Sequence, residues 1–428
     1  MNTKSFSISV LFSTLCLLGI NTSYAAIYKC TSAAGKVSYT GTPCSSGKTT
    51  KSTTLSTSTA TTSTSTSTTT APTTTSTSTS TTTAPTTTST APTTTTTSTS
   101  GSLSLATTTS TVTNTLTDVT QLLTETVFAP TSFWYKPIPT DVVLHTNSAN
   151  FVTEFIRQKT TYYNNVNINT NSYSSPVYIA SSSTPTVKVG FYDCQKKGWV
   201  DSTFTSMMSA VPIPSAAKQA SGTDGEMTIY QPSTNSIWEL WVGKKDATTG
   251  QWSACWGGKL ASASYSQGVF QKNYGTTATG LPFISGQITA EELTRGEIKH
   301  AIGIALVDVE KASIFSWPAN RSDGYNPNNV PNRIAEGQRF RLDPNVNVDA
   351  LPMTKAGKII AKAAQKYGFI VWDKAGSVSI RAQNADSYTA LGLANPYPAL
   401  YENKPAYAVL NGFPWDKLQF LPMDYGKP

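Results

Sequence analysis

Short apolar runs separated by polar turns dominate residues 127–428. The runs are rich in β-branched and aromatic residues and are bounded by Gly, Pro, Asn and Ser, which is the pattern of strands joined by loops. Such runs lie at 175–180, 186–193, 226–232, 236–243, 251–260, 297–309, 313–319, 338–343, 369–375 and 377–383. Helices do not alternate with them as a parallel α/β sheet requires. The pattern therefore predicts a mainly β fold, a β-sandwich or jelly roll with a few short helices.

Three segments carry helical rather than strand periodicity. The first begins near Asn147 and places on one face the apolar residues Phe151, Val152, Phe155 and Ile156. A short second helix is predicted after Thr289, which forms a capping box with Glu292, and it ends at Gly296. The third covers 354–368, where apolar residues share one side and lysines share the other.

The first 25 residues have the organisation of a signal peptide. Lys4 supplies the positive start, an apolar run covers 7–20, and small residues precede a cleavage site after Ala25. The run is too short for a permanent membrane helix, and no other stretch approaches that length. The sequence therefore predicts an exported protein, either secreted or periplasmic and associated with the cell envelope.

Residues 26–48 are predicted to form a small β module. Two short strands at 26–30 and 36–40 bury too little apolar surface to fold without a covalent staple. The motifs IYKC, GKVSY and TP in this stretch resemble the domain of unknown function 4124 family, which occurs near the N-terminus of exported bacterial proteins. The resemblance covers about two dozen residues and implies the module without any known chemistry.

Residues 49–126 are predicted to be a disordered linker made almost wholly of Ser, Thr, Ala and Pro. A 13-residue repeat occurs twice in tandem, at 63–75 and 76–88, and no charged residue lies between Lys51 and Asp118. A segment of this composition has no apolar surface to bury, so it is expected to stay extended. It would separate the small module from a globular β-rich domain at 127–428.

Cysteine usage agrees with export. Removal of the signal peptide leaves four cysteines: Cys30, Cys44, Cys194 and Cys255. An even number in an exported chain suggests two disulfides, and the long linker between the two pairs favours Cys30–Cys44 and Cys194–Cys255. A zinc site would need closely spaced pairs such as C-x2-C, which the sequence lacks.

The formal net charge of +8 and a pI near 9.0 do not by themselves indicate a nucleic-acid partner. The basic residues are scattered, whereas nucleic-acid binding favours a clustered patch. The chain has two histidines, which excludes a His-rich metal site, and it lacks nucleotide-binding glycine motifs and the serine-hydrolase elbow. We therefore expect no nucleic acid, metal or cofactor.

Candidate acid–base residues lie in the hairpin at 226–243 and just before it. Glu239 stands in the aromatic strand IWELW, and a poorly solvated carboxyl has the raised pKa that a glycosidase acid requires. Asp224 or Glu226 would supply the second carboxylate that glycoside hydrolysis uses. The alternative is an edge strand from which Glu239 faces water.

His300 is a further candidate, because alternation in the strand predicted at 297–309 places it on the apolar face with Ile302. It would be either a general base or sugar-binding group in a cleft, or a buried core histidine whose hydrogen bonds are satisfied.

Ligand contact is predicted for aromatic and polar side chains in two regions. Four tryptophans fall within 238–256, where they would stack on sugars if exposed or belong to the core if buried. The polar loop 317–333 suits a hydroxyl-rich ligand, although turn chemistry also explains its Asn, Gly and Pro content. The candidate ligand-binding residues are Trp241, Trp317, Arg321, Asp323 and Tyr325.

The motifs GLPFISGQITAEELTRGEIKHAI, FSWPA, GQRFRLD and AAQKYGFIVWD resemble a family of exported bacterial proteins without assigned activity. The resemblance covers most of residues 190–385 and implies one secreted domain, with no catalytic residues to transfer. We therefore expect recognition of a polysaccharide or another cell-envelope polymer. The alternative is a carbohydrate-active enzyme, a glycoside hydrolase or lyase, in which Glu239, Asp224 or Glu226, and His300 converge on one cleft.

Overall fold

The computed structural model describes residues 28–31, 37–40, 49–50 and 127–428. Contacts divide the chain into two units, Met1–Thr96 and Thr97–Pro428. The first unit contains a small antiparallel sheet of β1 (Tyr28–Thr31), β2 (Val37–Thr40) and β3 (Thr49–Thr50), in the order β2-β1-β3. The first two are the strands predicted for the N-terminal module, and β3 falls at the start of the predicted linker. The predicted signal peptide, the Cys30–Cys44 disulfide and linker residues 51–126 lie outside the described residues.

The second unit is built mainly of sheets with a few helices. Its strands are β4 (Asn167–Asn169), β5 (Val177–Ile179), β6 (Val189–Phe191), β7 (Met227–Gln231), β8 (Ser236–Trp241), β9 (Lys244–Lys245), β10 (Trp252–Ala254), β11 (Trp256–Leu260), β12 (Ile302–Leu306), β13 (Arg339–Leu342), β14 (Phe369–Lys374), β15 (Ser379–Arg381) and β16 (Leu418–Phe420). Its α-helices are α1 (Ser148–Thr161), α2 (Ser202–Met207), α3 (Phe283–Gly286), α4 (Ala290–Arg295), α5 (Lys355–Lys366), α6 (Asp386–Thr389) and α7 (Tyr397–Leu400).

The largest sheet has six strands in the order β16-β13-β14-β12-β15-β4. It is mixed, because β12 runs parallel to β14 and β15 runs parallel to β4, while the remaining pairs are antiparallel. Helices α1 and α5 bury their apolar faces against this sheet, with Phe155 and Ile360 in one core with Ile302 and Phe340. The predicted periodicity of both helices is confirmed by this packing.

A four-stranded sheet, β11-β8-β7-β5, faces the other side of the large sheet. Successive side chains of a strand point to opposite faces, so Phe369 and Val371 of β14 join the helical core, whereas Ile370 and Trp372 join a second core with Ile237. The two sheets thus share one apolar layer. Full burial of an apolar side chain in such a layer contributes about 1.5–3 kcal/mol.

A third core lies on the outer face of the four-stranded sheet. There Ile229 and Leu240 meet Phe204 of α2 and Trp252 of the small sheet β6-β10-β9. The predicted β-rich fold with few helices is confirmed, and the finer expectation of a jelly roll stays a prediction. Within the described residues, no helix is long and apolar enough to cross a membrane.

Two strand predictions are corrected by the structure. The run at 313–319 is not a strand, because it turns at 317–320 through a cis Trp317–Pro318 bond. The run at 297–309 pairs only from Ile302, so His300 lies in the connection before β12 rather than within the strand. The capping box of Thr289 and the left-handed stop at the residue after α4 are confirmed.

Candidate functional site

The hairpin of β7 and β8 sets the position of Glu239. The register pairs Thr228 with Glu239 and Tyr230 with Ile237, so these side chains face the layer between the two sheets. Glu239 is fully buried, which excludes the expected alternative of an edge carboxylate in water.

Three donors converge on the Glu239 carboxyl group. It accepts hydrogen bonds from Thr276 Oγ1 at 2.6 Å, from the backbone N–H of Phe283 at 2.6 Å and from Thr228 Oγ1 at 3.3 Å. Burial raises the pKa of Glu239 to about 7, although these hydrogen bonds oppose the shift. The side chain therefore ties the segment from 276 to 283 onto the hairpin.

A cleft of about 670 Å³ opens next to the residues that hydrogen-bond to Glu239. Its walls come from segments 195–201, 224–226, 273–278, 321–323 and 373–374, together with Trp241, Trp256 and Phe283. The volume is within the range of ligand pockets, and the walls mix aromatic rings with carboxylates and cations.

One wall of the cleft is aromatic. Trp256 lies parallel between Phe204 and Tyr274, with ring centroids 5.6 Å and 5.4 Å away. The indole N–H of Trp256 donates to the Asn273 carbonyl at 2.8 Å, which fixes the orientation of the ring. Trp199 stands beside this stack with half of its surface exposed. The wall therefore presents rigid ring faces and edges to the cleft.

A disulfide holds the outer part of this wall. Cys194 and Cys255 are bonded with Cα atoms 5.5 Å apart, which confirms that predicted pair. Because Cys255 directly precedes Trp256, the bond fixes the start of the loop that carries Lys197 and Trp199. Lys197 Nζ lies 5.7 Å from the centroid of the Trp256 ring, which is cation–π distance.

The cleft is also lined by two carboxyl groups on either side of Gly225. Glu226 is 1% exposed, and its Oε2 has no hydrogen-bond partner among the described residues. Burial raises the pKa of Glu226 to about 7 against the nearby positive charge of Arg381. Asp224 is half-buried, and within the described part of the chain its side chain makes no hydrogen bond or ion pair.

A β-bulge brings Asp373 to the cleft. The register of β12 with β14 pairs Ala305 with Asp373 and skips Trp372, which reverses the alternation of side chains beyond that point. Asp373 then forms an ion pair with Arg381 at 2.9 Å and accepts the backbone N–H of Ala278. Burial raises the pKa of Asp373, although Arg381 lowers it.

Arg321 fixes segment 273–278 of the cleft wall by hydrogen bonds to backbone carbonyl oxygens of that segment. Its guanidinium donates to the carbonyl oxygens of Asn273 at 2.6 Å, Gly275 at 3.1 Å and Thr277 at 2.7 Å. Burial lowers the pKa of Arg321, although neighbouring carboxylates oppose the shift. The segment 273–278 is thus held by Arg321 and by Glu239, which accepts from Thr276. Both are positioning residues for the cleft.

The structure divides the candidate residues into two groups. Five of them line the cleft: Asp224, Glu226, Trp241, Arg321 and Asp323. The other four lie elsewhere: Glu239, His300, Trp317 and Tyr325. The ring of Trp317 packs against Phe133 at 5.0 Å, and Tyr325 is 75% exposed outside the cleft. Glu239 and His300 therefore do not converge with Asp224 and Glu226 on this cleft.

His300 belongs to the capped end of α4. Its Nε2 lies 3.2 Å from the Glu292 carboxylate, and its Nδ1–H donates to the Ala301 carbonyl at 2.8 Å. Burial lowers the pKa of His300, but the charge of Glu292 outweighs it, so the net shift is upward. Burial likewise raises the pKa of Glu292, and His300 outweighs it in the downward direction. The geometry is that of a satisfied, buried ion pair.

The His300–Glu292 pair predicts a pH-dependent contribution to stability. A histidine with a raised pKa contributes fully below its unfolded value of about 6.5 and loses the contribution as pH rises. The lowered pKa of Glu292 makes its contribution present above about 4.5. We expect His300→Gln to lower the free energy of unfolding by about 2 kcal/mol at pH 5.5, and by less at pH 8.5.

Urea denaturation of wild type and variant at both pH values measures this difference. Lys299→Gln is the matched control, because the Lys299–Glu297 pair is exposed and contributes little. An equal loss for His300→Gln at both pH values would contradict the assignment of a charged pair.

Several cleft residues were not predicted from the sequence. Trp199 and Lys197 follow Cys194, so the predicted disulfide with Cys255 already carried a signal that this loop lies beside Trp256. Tyr274 and the segment 273–278 carry no motif. Asp373 could not be predicted as a cleft residue, because regular alternation would place it with Phe369 and Val371, on the side of the sheet that the helices cover.

The fold and the cleft have no counterpart in the comparisons with known proteins. No protein family, no curated protein and no solved structure matches the chain.

Proposed function

We propose that this exported protein binds a segment of a hydroxyl-rich polysaccharide, in the cell envelope or its surroundings, in the cleft of its β-rich domain. The observation that carries the proposal is the half-exposed Trp199 beside the stacked rings of Trp256 and Tyr274, in a cleft that carboxyl groups also line. Ligand sites commonly combine apolar rings with a few fixed polar groups.

The chemistry of the walls suits a sugar. The apolar face of a sugar ring packs on an aromatic ring, and its hydroxyl groups donate to carboxylates and accept from cations. The carboxylates Asp201, Asp224, Asp323 and Asp373 are only partly offset by Lys197, Arg321 and Lys374 in the same cleft. This balance favours an uncharged glycan over a polyanion.

Two features of the sequence support an extracellular setting. The predicted signal peptide at 1–25 directs export, and disulfides persist in oxidising compartments. The Ser/Thr-rich linker at 49–126 would give the domain reach from its N-terminal module.

A polysaccharide panel tests the proposal on the mature full-length chain. Native gels containing laminarin, xylan, soluble starch or hydroxyethyl cellulose, and sedimentation with insoluble chitin or peptidoglycan, report binding directly. We expect at least one polymer to bind. Trp199→Ala should weaken that binding about tenfold, equivalent to about 1.4 kcal/mol.

Tyr265→Ala is the control, because Tyr265 is an aromatic residue that is 84% exposed outside the cleft. It should bind like the wild type. Binding that Trp199→Ala leaves unchanged, or no binding to any polymer, would contradict the proposal.

A further inference from the structure

We propose that the cleft also hydrolyses the glycan it binds, with Glu226 as the proton donor and Asp224 as the carboxylate that activates water. This inference rests on the proposed function, because it needs a sugar against the aromatic wall. It assigns catalysis to the pair that flanks Gly225, in place of the expected roles of Glu239 and His300.

Glu226 has the environment of a proton donor without a protein partner. The side chain is 1% exposed in the wall of the cleft, and Oε2 is a buried oxygen with no hydrogen bond in the part of the chain described. Buried polar groups in native proteins are nearly always paired, and an exception calls for an explanation. Because the Glu226 side chain lines the cleft, rotation of its carboxyl group would bring this oxygen to a glycosidic oxygen there.

Electrostatics keep a proton on Glu226 near neutral pH. Burial raises its pKa to about 7, and the negative charges of Asp224 and Asp373 add to the shift, while Arg381 opposes it. A protonated carboxyl group with a second carboxyl group in the same site is the pattern of acid and base in glycoside hydrolysis.

Asp224 is the cleft carboxylate that remains free to accept a proton. Asp373 is engaged by Arg381, and Asp201 caps α2 at the Phe204 N–H. Asp323 lies 3.7 Å from Lys374. The side chain of Asp224 has no such partner among the described residues and is half-buried at the cleft.

Hydrolysis of the glycosidic bond needs only water besides the glycan. The carboxyl proton of Glu226 moves to the glycosidic oxygen as the bond from that oxygen to the anomeric carbon breaks. A water oxygen forms the new bond to the anomeric carbon, and Asp224 takes the proton that this water loses. Return of that proton through solvent to Glu226 restores the starting state.

Release of reducing ends from the same polysaccharide panel tests the inference on the mature full-length chain. We expect the wild type to release reducing ends from a polymer that it binds. Glu226→Gln and Asp224→Asn should each lower the rate by at least about 100-fold while binding stays within about threefold of the wild type. Glu297→Gln changes an exposed carboxylate outside the cleft and should leave the rate unchanged.

The pH profile of the wild type gives a second measurement that does not depend on any variant folding. The rate should fall as pH rises above about 7, because Glu226 then loses its proton.

Each failure has a distinct signature. Binding without release of reducing ends would overturn the hydrolytic inference and leave the proposed function standing. Release that persists in both variants, or that continues undiminished to pH 9, would overturn the assignment of Glu226 and Asp224. Absence of binding to every polymer would overturn the proposed function and the hydrolysis together.

Discussion

Gly303→Ala is expected to destabilise the β-rich domain by more than about 3 kcal/mol, because the added methyl group would overpack a buried site whose neighbours cannot move aside at low cost. Gly303 is the second residue of β12, and the buried indole of Trp372 lies directly over it. A β carbon at this position would overlap three atoms of that ring. The ring also contacts Gly286 and packs against Trp134 and Phe283, so it has little room to move.

Thermal unfolding measures this effect, with Gly376→Ala as the matched control. Gly376 precedes β15, and a β carbon there would meet no atom within 4 Å. We expect the midpoint of the Gly303→Ala variant to fall by at least roughly 6 °C while that of Gly376→Ala stays within about 1 °C of the wild type. A midpoint for Gly303→Ala equal to that of the control would contradict the packing of Trp372 on β12.

Glu239→Ala is the second large effect, with an expected loss of about 4 kcal/mol, because three donors would lose their acceptor and a cavity would form. The donors are Thr276, Thr228 and the backbone of Phe283. Glu239→Gln keeps one oxygen acceptor and the volume, so it should cost less. The loss should also reach the cleft, because Thr276 and Thr277 lie in its wall.

The pH dependence distinguishes this carboxyl group from a neutral acceptor. The folded pKa of Glu239 is about 7, above the unfolded value of about 4.5, so the folded state holds the proton more tightly. Stability from this group is therefore complete below about pH 4.5 and is lost as pH rises through about 7. Urea denaturation at pH 5 and pH 8 should show the difference between wild type and Glu239→Gln shrinking at the higher pH. A constant difference would contradict the raised pKa.

The sequence predicts the elements well where local chemistry decides them. Thr289, Glu292 and Gly296 define a helix start and stop within eight residues, and the structure has both. The alternation in the second strand of the hairpin predicts that Ile237 and Glu239 share a face, and both face the layer between the sheets, because period-two patterns depend only on neighbouring residues.

Features that depend on distant partners were not predictable in this way. The cis bond at Trp317–Pro318 sits in a run whose composition favours a strand. His300 follows an apolar alternation, yet pairing starts at Ile302, because the histidine is bound to Glu292 on the preceding helix. In both segments, tertiary contacts rather than local sequence determine the backbone conformation.

The site shows the same division. Glu226 and Trp241 could be located from the sequence because they belong to one local hairpin. Trp256 could be located because it follows Cys255 of the predicted disulfide. The bulge at Trp372 places Asp373 at the cleft, and no local sequence pattern predicts this bulge. Glu239 was predicted to be catalytic from its aromatic surroundings, and the structure gives it three hydrogen bonds within the protein instead.

Hydrogen–deuterium exchange of the mature full-length chain, with and without an oligosaccharide of the polymer that binds, tests the central claim most directly, because it reports where the sugar lies. We predict slower exchange in segments 195–201 and 273–278, which both line the cleft, and unchanged exchange at 311–316, outside it. Protection confined to other segments, or absent while binding is saturated, would contradict the assignment of this cleft as the polysaccharide site.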